Sequence, residues 1–324
     1  MTPSDLKGAL EQMLSGEMNE TSIIKVLTEV EANGVGPQEL AVGVDVMRAH
    51  MTKVDVPKGA IDIVGTGGTG LKTLSISTAA AIVTAACGIP VAKHGNKGAS
   101  SPTGTADTLS QLGVNITMTP ERAASAVNDI GIGFLYAPSY HPALRHVGPA
   151  RRAIGSRTLF NRLGPLCNPG EVDYMLVGSA ERSLVPAMAK ALKPYVRRAM
   201  VVSGHDGLDE ITTTAPTDTY LISSAPEQDD IFIKASEHWN TSADPAALKG
   251  GDPKYNAARL TALLEGQKDA YRDIVLVNAS EALWIAGQDE RFAARQDAFG
   301  AAVNAIDSGA AKAKLAQLAE YSHG

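Results

Sequence analysis

Ile61-Asp62-Ile63-Val64 runs directly into Gly65-Thr66-Gly67-Gly68-Thr69-Gly70, and a helical pattern opens at Ser75 to Ser77. A short β-branched run bounded by a glycine cluster reads as a buried strand ending in a turn. Such a turn lets backbone N–H groups approach an anion at the positive end of the following helix. Thr73, Ser75, Ser77 and Thr78 add hydroxyls along the same stretch. A plain tight turn with serine caps would also use glycine, but so many glycines and hydroxyls together point to phosphate. Gly65, Gly67 and Gly70 also satisfy G-x-G-x-x-G, a dinucleotide fingerprint that needs an acidic residue at the end of the next strand. The chain has Lys93-His94-Gly95-Asn96 there. A lysine suits a second phosphate or a diphosphate, so nicotinamide binding is disfavoured.

Working outward from the loop, the N-terminal side is helical. Ser4 is placed to cap a helix carrying Leu6, Leu10, Met13 and Leu14, which Gly16 stops. A second helix puts Ile23, Ile24, Leu27 and Val30 on one face and ends at Asn33-Gly34; Pro37 opens a third with Leu40, Val44 and Met47 inward. Residues 1–56 therefore read as a small helical unit. On the C-terminal side, strands are expected at 61–64, 89–92, 132–136, 174–177, 199–203 and 274–278, separated by helical stretches such as 77–87 and 120–129. That alternation predicts an α/β domain whose largely parallel sheet is flanked by helices on both faces. The polar stretch 223–253 reads as loops with one or two short strands.

Composition limits the function classes. The chain has 324 residues, 44% of them hydrophobic and 20% charged, as in an ordinary globular protein. A net charge of −6 argues against a protein that coats nucleic acid. The two cysteines, Cys87 and Cys167, lack metal-ligand spacing and fit a reduced, cytoplasmic protein. No signal-peptide pattern is present, and the longest apolar run, 79–92, is broken by Gly88 and Pro90, so no membrane partner is expected.

Three further groups could carry chemistry. Ser100-Ser101-Pro102-Thr103-Gly104-Thr105 is hydroxyl-rich and could close over phosphate oxygens or be a solvated loop. Asp209-Glu210 follows the strand at 199–203; such pairs are usually solvated charge, but at the C-terminal end of a parallel strand they could hold Mg²⁺. His141, Arg145, His146, Arg151, Arg152 and Arg157 form a basic stretch. It is either a solvated helix face or the source of an arginine fork for a substrate carboxylate. No nucleophilic triad or zinc-hydrolase motif is legible.

Taken together, the segments 62–68, 91–96, 100–113, 141–169 (with Arg157-Thr158-Leu159-Phe160-Asn161) and 207–213 resemble the anthranilate phosphoribosyltransferase family. Leu248-Lys249-Gly250-Gly251-Asp252, Asn256-Ala257 and the stretch 306–322 extend the resemblance along nearly the whole chain. It implies an α/β fold of the nucleoside phosphorylase and phosphoribosyltransferase type. A helical domain of residues 1–56, completed by a segment near 145–185, would sit beside an α/β domain of 57–144 and 186–324, commonly as a homodimer. The implied activity transfers phosphoribosyl from phosphoribosyl pyrophosphate to anthranilate. By the same resemblance, Gly65, Gly68, Thr69, Thr73, Ser75, Ser77, Thr78, Lys93, Ser100 and Thr105 would line the phosphoribosyl pyrophosphate site. Gly65, His94, Asn96 and Arg151 would meet anthranilate, and Ser77, Asp209 and Glu210 would hold Mg²⁺. Lys93 would stabilise the departing pyrophosphate; no residue is assigned as general base, and His94 is a candidate for proton handling or packing.

The chain departs from the family pattern at four positions. The family usually has aspartate where this chain has Thr69, asparagine where it has Ser75, arginine where it has Lys97, and a small uncharged residue where it has Lys72. Alternatives are a phosphoribosyltransferase acting on another aromatic amine or nitrogen base, a nucleoside phosphorylase, and a non-enzymatic nucleic-acid-binding paralogue. Asp209-Glu210 and the 163–169 segment argue against the phosphorylase; the net charge and the retained motifs argue against the nucleic-acid binder.

Overall fold

The structure, a computed structural model, describes residues 1–98, 103–223, 230–236, 239, 243–287 and 291–324. It opens with α1 (Pro3–Ser15), α2 (Glu20–Asn33) and α3 (Pro37–Ala49). Their expected apolar stripes are buried, except that Ile24 is only partly covered. The cap of α1 is Thr2 rather than Ser4. Asp5 N donates to the Thr2 hydroxyl while Thr2 N donates back to the Asp5 carboxylate, and Pro3 fills the first helical position.

One seven-stranded sheet follows, in the order β3-β2-β1-β4-β5-β6-β7. Its strands are β1 (Ile61–Gly65), β2 (Val91–Gly95), β3 (Ile132–Tyr136), β4 (Tyr174–Gly178), β5 (Arg198–Gly204), β6 (Thr217–Ser223) and β7 (Ile231–Ser236). Strands β1 to β5 are parallel, while β6 pairs antiparallel with β5 and β7 antiparallel with β6. The expected strand 274–278 is absent from the sheet. Those residues lie inside α12, after α4 (Ile76–Ala86), α5 (Thr105–Gln111), α6 (Pro120–Ile130), α7 (Ala137–Tyr140), α8 (Gly148–Ile154), α9 (Leu159–Leu163), α10 (Val185–Leu192) and α11 (Pro253–Leu264). Helix α12 itself runs from Ala270 to Gly287 and is buried on nearly every side, followed by α13 (Arg295–Asp307) and α14 (Ala310–His323). A helix covered all round has no polar face, so its apolar run carries no period to separate it from a buried strand.

Helices α4 and α12 pack on each other and against the central strands, and the small side chains of Ala79, Ala80 and Ala81 in α4 are all buried. Helices α8, α9 and α10 return to the N-terminal helices: α8 contacts α2, and α9 and α10 contact α3. Arg162 of α9 fastens this packing, donating to both carboxylate oxygens of Glu31 on α2 (2.8 and 2.9 Å) and both of Glu181 (2.9 and 3.0 Å). The segment 145–185 is not wholly helical, because β4 within it is a central strand between β1 and β5.

Candidate active site

The chain leaves β1 toward β2 and β3 on one side and returns at β4 on the other, so β1 and β4 flank the point where strand order reverses. Ligands of open α/β sheets bind outside the carboxyl ends of strands at such a point. The glycine loop stands there. Gly67, Gly68 and Gly70 take φ of 65°, 71° and 76°, the left-handed region that glycine enters at no steric cost. Lys72 enters the same region at φ 51° and is exposed.

The carboxylates arrive from the end of β5. Asp209 crosses over β4 to reach the loop, and its Oδ2 accepts from Gly67 N at 2.7 Å. The crossing depends on two glycines that face each other in the sheet, Gly65 of β1 and Gly178 of β4. A Cβ on Gly178 would stand 1.5 Å from the Asp209 carbonyl oxygen, and one on Gly65 would stand 2.2 Å from Asp209 Oδ2. Beyond the pair, Asn278 of α12 holds Ile211: its Oδ1 accepts from Ile211 N (3.1 Å) and its Nδ2 donates to Ile211 O (2.8 Å).

Asp209 and Glu210 are thus not solvated surface charge. Burial pushes the Glu210 carboxyl well above its ordinary range, and the neighbouring Asp209 charge adds to this. Asp209 is raised by burial, against the Gly67 N–H that favours its charged form. Glu210 Oε2 is sealed from solvent with no hydrogen-bond partner among the described residues. Two adjacent, desolvated carboxylates with an orphaned oxygen fit a divalent cation, which would relieve both their repulsion and the missing bond. Lys93 of β2 supplies positive charge: it is buried, donates to Ile63 O at 2.5 Å, and interacts electrostatically with Asp62, Glu210 and Asp209. Desolvation lowers its pKa while those carboxylates oppose the shift.

The hydroxyls seen in the sequence converge on the first turns of α4 and α5. Ser75 Oγ lies 2.7 Å from Thr108 Oγ1, and Thr78 Oγ1 donates to Thr105 Oγ1 at 3.3 Å. Ser77 lies in the same first turn of α4, and Tyr271 of α12 donates to Ser75 O at 3.0 Å. Thr69 Oγ1 accepts from Leu71 N at 3.2 Å, closing the loop on itself. Thr73 forms an isolated antiparallel bridge with Lys249, and Gly250 N donates to Lys72 O at 2.7 Å. The Lys249–Asp252 strap therefore lies along the outer edge of the loop. Ser100 lies outside the described residues.

Another group gathers on the other side of Lys93. The rings of His94 and His141 stand 5.1 Å apart. Desolvation holds His94 well below its ordinary pKa, with His141 and Lys93 adding repulsion, and brings His141 down to about 4. In both rings burial therefore favours the neutral form. Asn96 is exposed at the end of β2, its Oδ1 accepting from Lys97 N at 2.7 Å. Arg151 sits on α8 with its guanidinium 5.8 Å from the centre of the Phe160 ring. It makes no ion pair among the described residues, and burial lowers its pKa. A partly buried guanidinium without a carboxylate partner has donors free to bind one.

Two residues do more than sequence reading assigned them: Arg157, read only as part of the basic stretch and the family-like run, and Asn168, given no role of its own. Arg157 donates from Nη2 to Gly68 O and pairs with Glu181, tying the loop to the helical segment, while the φ of 71° at Gly68 is what favours glycine there. Asn168 donates to Asp62 Oδ2 and to Ala92 O, both at 2.8 Å, which joins β1 and β2 behind the site. Only the family-like run around Arg157 and Asn168 could have flagged them.

Fold and site together define an α/β protein in which a glycine loop and a carboxylate pair meet at the switch point of a mostly parallel sheet. The chain belongs to the glycosyl transferase family whose a/b-domain model matches residues 57–312, and within it to the anthranilate phosphoribosyltransferases. It is 44% identical to the anthranilate phosphoribosyltransferase of Azorhizobium caulinodans, over 96% of this chain and 90% of that one. It is 42% identical to that of Afipia carboxidovorans, over 97% and 92%. Among solved structures, the enzyme of Thermus thermophilus superposes with a TM-score of 0.89 at 33% identity, covering 100% of this chain and 96% of that one. The enzyme of Saccharomyces cerevisiae in complex with phosphoribosyl pyrophosphate and Mg superposes with a TM-score of 0.86 at 25% identity, covering 99% and 93%.

Proposed function

We propose that this enzyme transfers the phosphoribosyl group of phosphoribosyl pyrophosphate to the amine of anthranilate, releasing pyrophosphate. The observation that carries the reading is the junction of the left-handed glycine loop with the buried Asp209 and half-buried Glu210, made by Asp209 across Gly65 and Gly178. Breaking the C1–O bond leaves positive charge on the ribose and negative charge on the leaving pyrophosphate. The loop N–H groups of Gly65 and Gly68, the hydroxyls of Thr69, Thr73, Ser75, Ser77, Thr78 and Thr105, and the Lys93 ammonium favour that anion, because their dipoles are fixed before reaction. Mg²⁺, when bound by Ser77, Asp209 and Glu210, supplies further neutralisation of the pyrophosphate. The Arg151 fork and Asn96 hold the anthranilate carboxylate, with Gly65 at the loop end beside them. The aryl amine is uncharged at neutral pH, so positioning supplies much of what a base would. His94, whose neutral form burial favours, lines the acceptor side as a packing group.

The same reading assigns residues 1–56, with the helices of 145–185, to a domain that carries Arg151, and the strands to the domain that carries the phosphate loop. A homodimer in the cytoplasm is part of the proposal. Among the described residues no helix is long and apolar enough to cross a membrane. The yeast relative's complexes with phosphoribosyl pyrophosphate and Mg and with 4-fluoroanthranilate support the substrate pair. The test follows the loss of anthranilate fluorescence. Turnover should require phosphoribosyl pyrophosphate, anthranilate and Mg²⁺ together; full activity in excess chelator, or none at saturating substrates, would remove the reading.

A further inference from the structure

Asn278 lies in the middle of α12, 1% exposed, among Ile274, Val275, Val277 and Ala279. A buried amide in an apolar helix face is costly unless its donors and acceptor are satisfied. Here they are satisfied chiefly by one residue of another segment. Ile211 N donates to Oδ1 (3.1 Å), Nδ2 donates to Ile211 O (2.8 Å), and the second Nδ2 proton reaches Ile274 O one turn back (2.8 Å). The amide pairs with Ile211 as a neighbouring strand would, fixing both polar groups of that residue. Ile211 is fully buried and directly follows Glu210, so the peptide beside the carboxylate pair cannot drift without leaving its own N–H and C=O unpaired.

The pair is therefore held from two directions. On one side Asp209 is fixed to Gly67 N and wedged over Gly178; on the other Ile211 is fixed to α12, which itself packs on β1, β4 and β5. We infer that Asn278 is a positioning residue that sets the placement of Asp209 and Glu210, and through them the affinity for a divalent cation bound with phosphoribosyl pyrophosphate. The inference rests on the proposed function. Asn278 touches neither substrate nor cation; it acts through Ile211.

The test compares Asn278→Leu, which removes all three hydrogen bonds at similar volume, with Asn278→Asp, which keeps the acceptor for Ile211 N and removes the donors. Calorimetric titration of the full-length protein with phosphoribosyl pyrophosphate, at a series of Mg²⁺ concentrations, reads binding without turnover. Both variants should need about tenfold more Mg²⁺ for half-maximal binding, the effect of losing one or two well-made buried hydrogen bonds. Their KM for anthranilate should stay within twofold, and high Mg²⁺ should restore most of kcat. Wild-type protein showing no Mg²⁺-dependent binding would strike the functional reading itself. Wild-type binding that depends on Mg²⁺, with variants whose titrations superimpose on it, would overturn the role of Asn278 alone. Failure of both variants to fold, or a lowered melting temperature with unchanged Mg²⁺ dependence, would also overturn it, as a purely structural role predicts.

Discussion

Gly178→Ala isolates the close approach on which the site depends. The φ of Gly178 is not positive, so alanine can adopt its backbone and any effect comes from the added methyl. That methyl would stand 1.5 Å from the Asp209 carbonyl oxygen and 2.3 Å from its carbonyl carbon. To reach van der Waals contact the Asp209 backbone must withdraw by about 2 Å. Backbone cannot rotate away as a long side chain could, and overpacking of this kind costs about 1–3 kcal/mol of stability. The withdrawal also stretches the 2.7 Å bond from Gly67 N to Asp209 Oδ2, a charge-assisted bond of about 1.5–3 kcal/mol. A displacement of about 1 Å in a catalytic constellation costs on the order of a hundredfold, close to 3 kcal/mol of barrier. The variant should therefore lose roughly a hundredfold in kcat/KM and require more Mg²⁺ for half-maximal turnover. Initial rates from anthranilate fluorescence, measured across a Mg²⁺ series, give both quantities. Gly8→Ala in α1, where a Cβ would meet nothing within 4 Å, is the control and should leave both unchanged. A folded Gly178→Ala enzyme within twofold of wild type at every Mg²⁺ concentration would refute the crossing as a functional device.

Three further outcomes are expected. Arg151→Ala should weaken anthranilate use by about ten- to a hundredfold, the cost of a lost charged hydrogen-bond partner, while phosphoribosyl pyrophosphate binding changes little; an unchanged specificity constant for anthranilate would make Arg151 structural. Lys72→Gly removes a side chain from a left-handed backbone, worth about 1–2 kcal/mol, against roughly 0.5–1 kcal/mol of added unfolded-state entropy. Its melting temperature should not fall, and a fall would mean that the exposed lysine packs after all. His141, held at about 4 against an unfolded value near 6.5, binds its proton more weakly when folded, so its contribution to stability is lost as pH drops through 6.5 toward 4. His94 acts in the same direction, while Asp62, raised to about 6, gains its proton first in the folded state and offsets part of the loss. His141→Gln should remove about 2 kcal/mol of the decline between pH 7 and pH 5, read from urea midpoints, and parallel curves would refute the assignment.

What the sequence made legible was local. The N-terminal stripes of α1 to α3, the Ile61–Gly65 strand and the loop after it each announce themselves within a dozen residues, through period, glycine and hydroxyl content. Strand β6 escaped because its run Thr217-Asp218-Thr219-Tyr220 buries threonines and an aspartate where apolar alternation was sought. The run at 274–278 misled for the opposite reason, being buried on every face of α12, so that its four leading apolar residues show no helical period. The site divides the same way. Gly65, Lys93 and Asp209-Glu210 were found as motifs, but nothing in the sequence brings Gly178 under Asp209 or Asn278 beside Ile211, since those meetings follow from strand order. The ends of β1, β4 and β5 lie side by side only because β4 returns next to β1, and a residue leaving β5 must pass over β4 to reach the loop. A glycine at that crossing costs strand stability and gains no turn, so only the close approach accounts for it. The meeting of loop and carboxylates is therefore a consequence of topology acting on motifs, with Gly178 lying under Asp209 and Asn278 paired to Ile211 at that meeting.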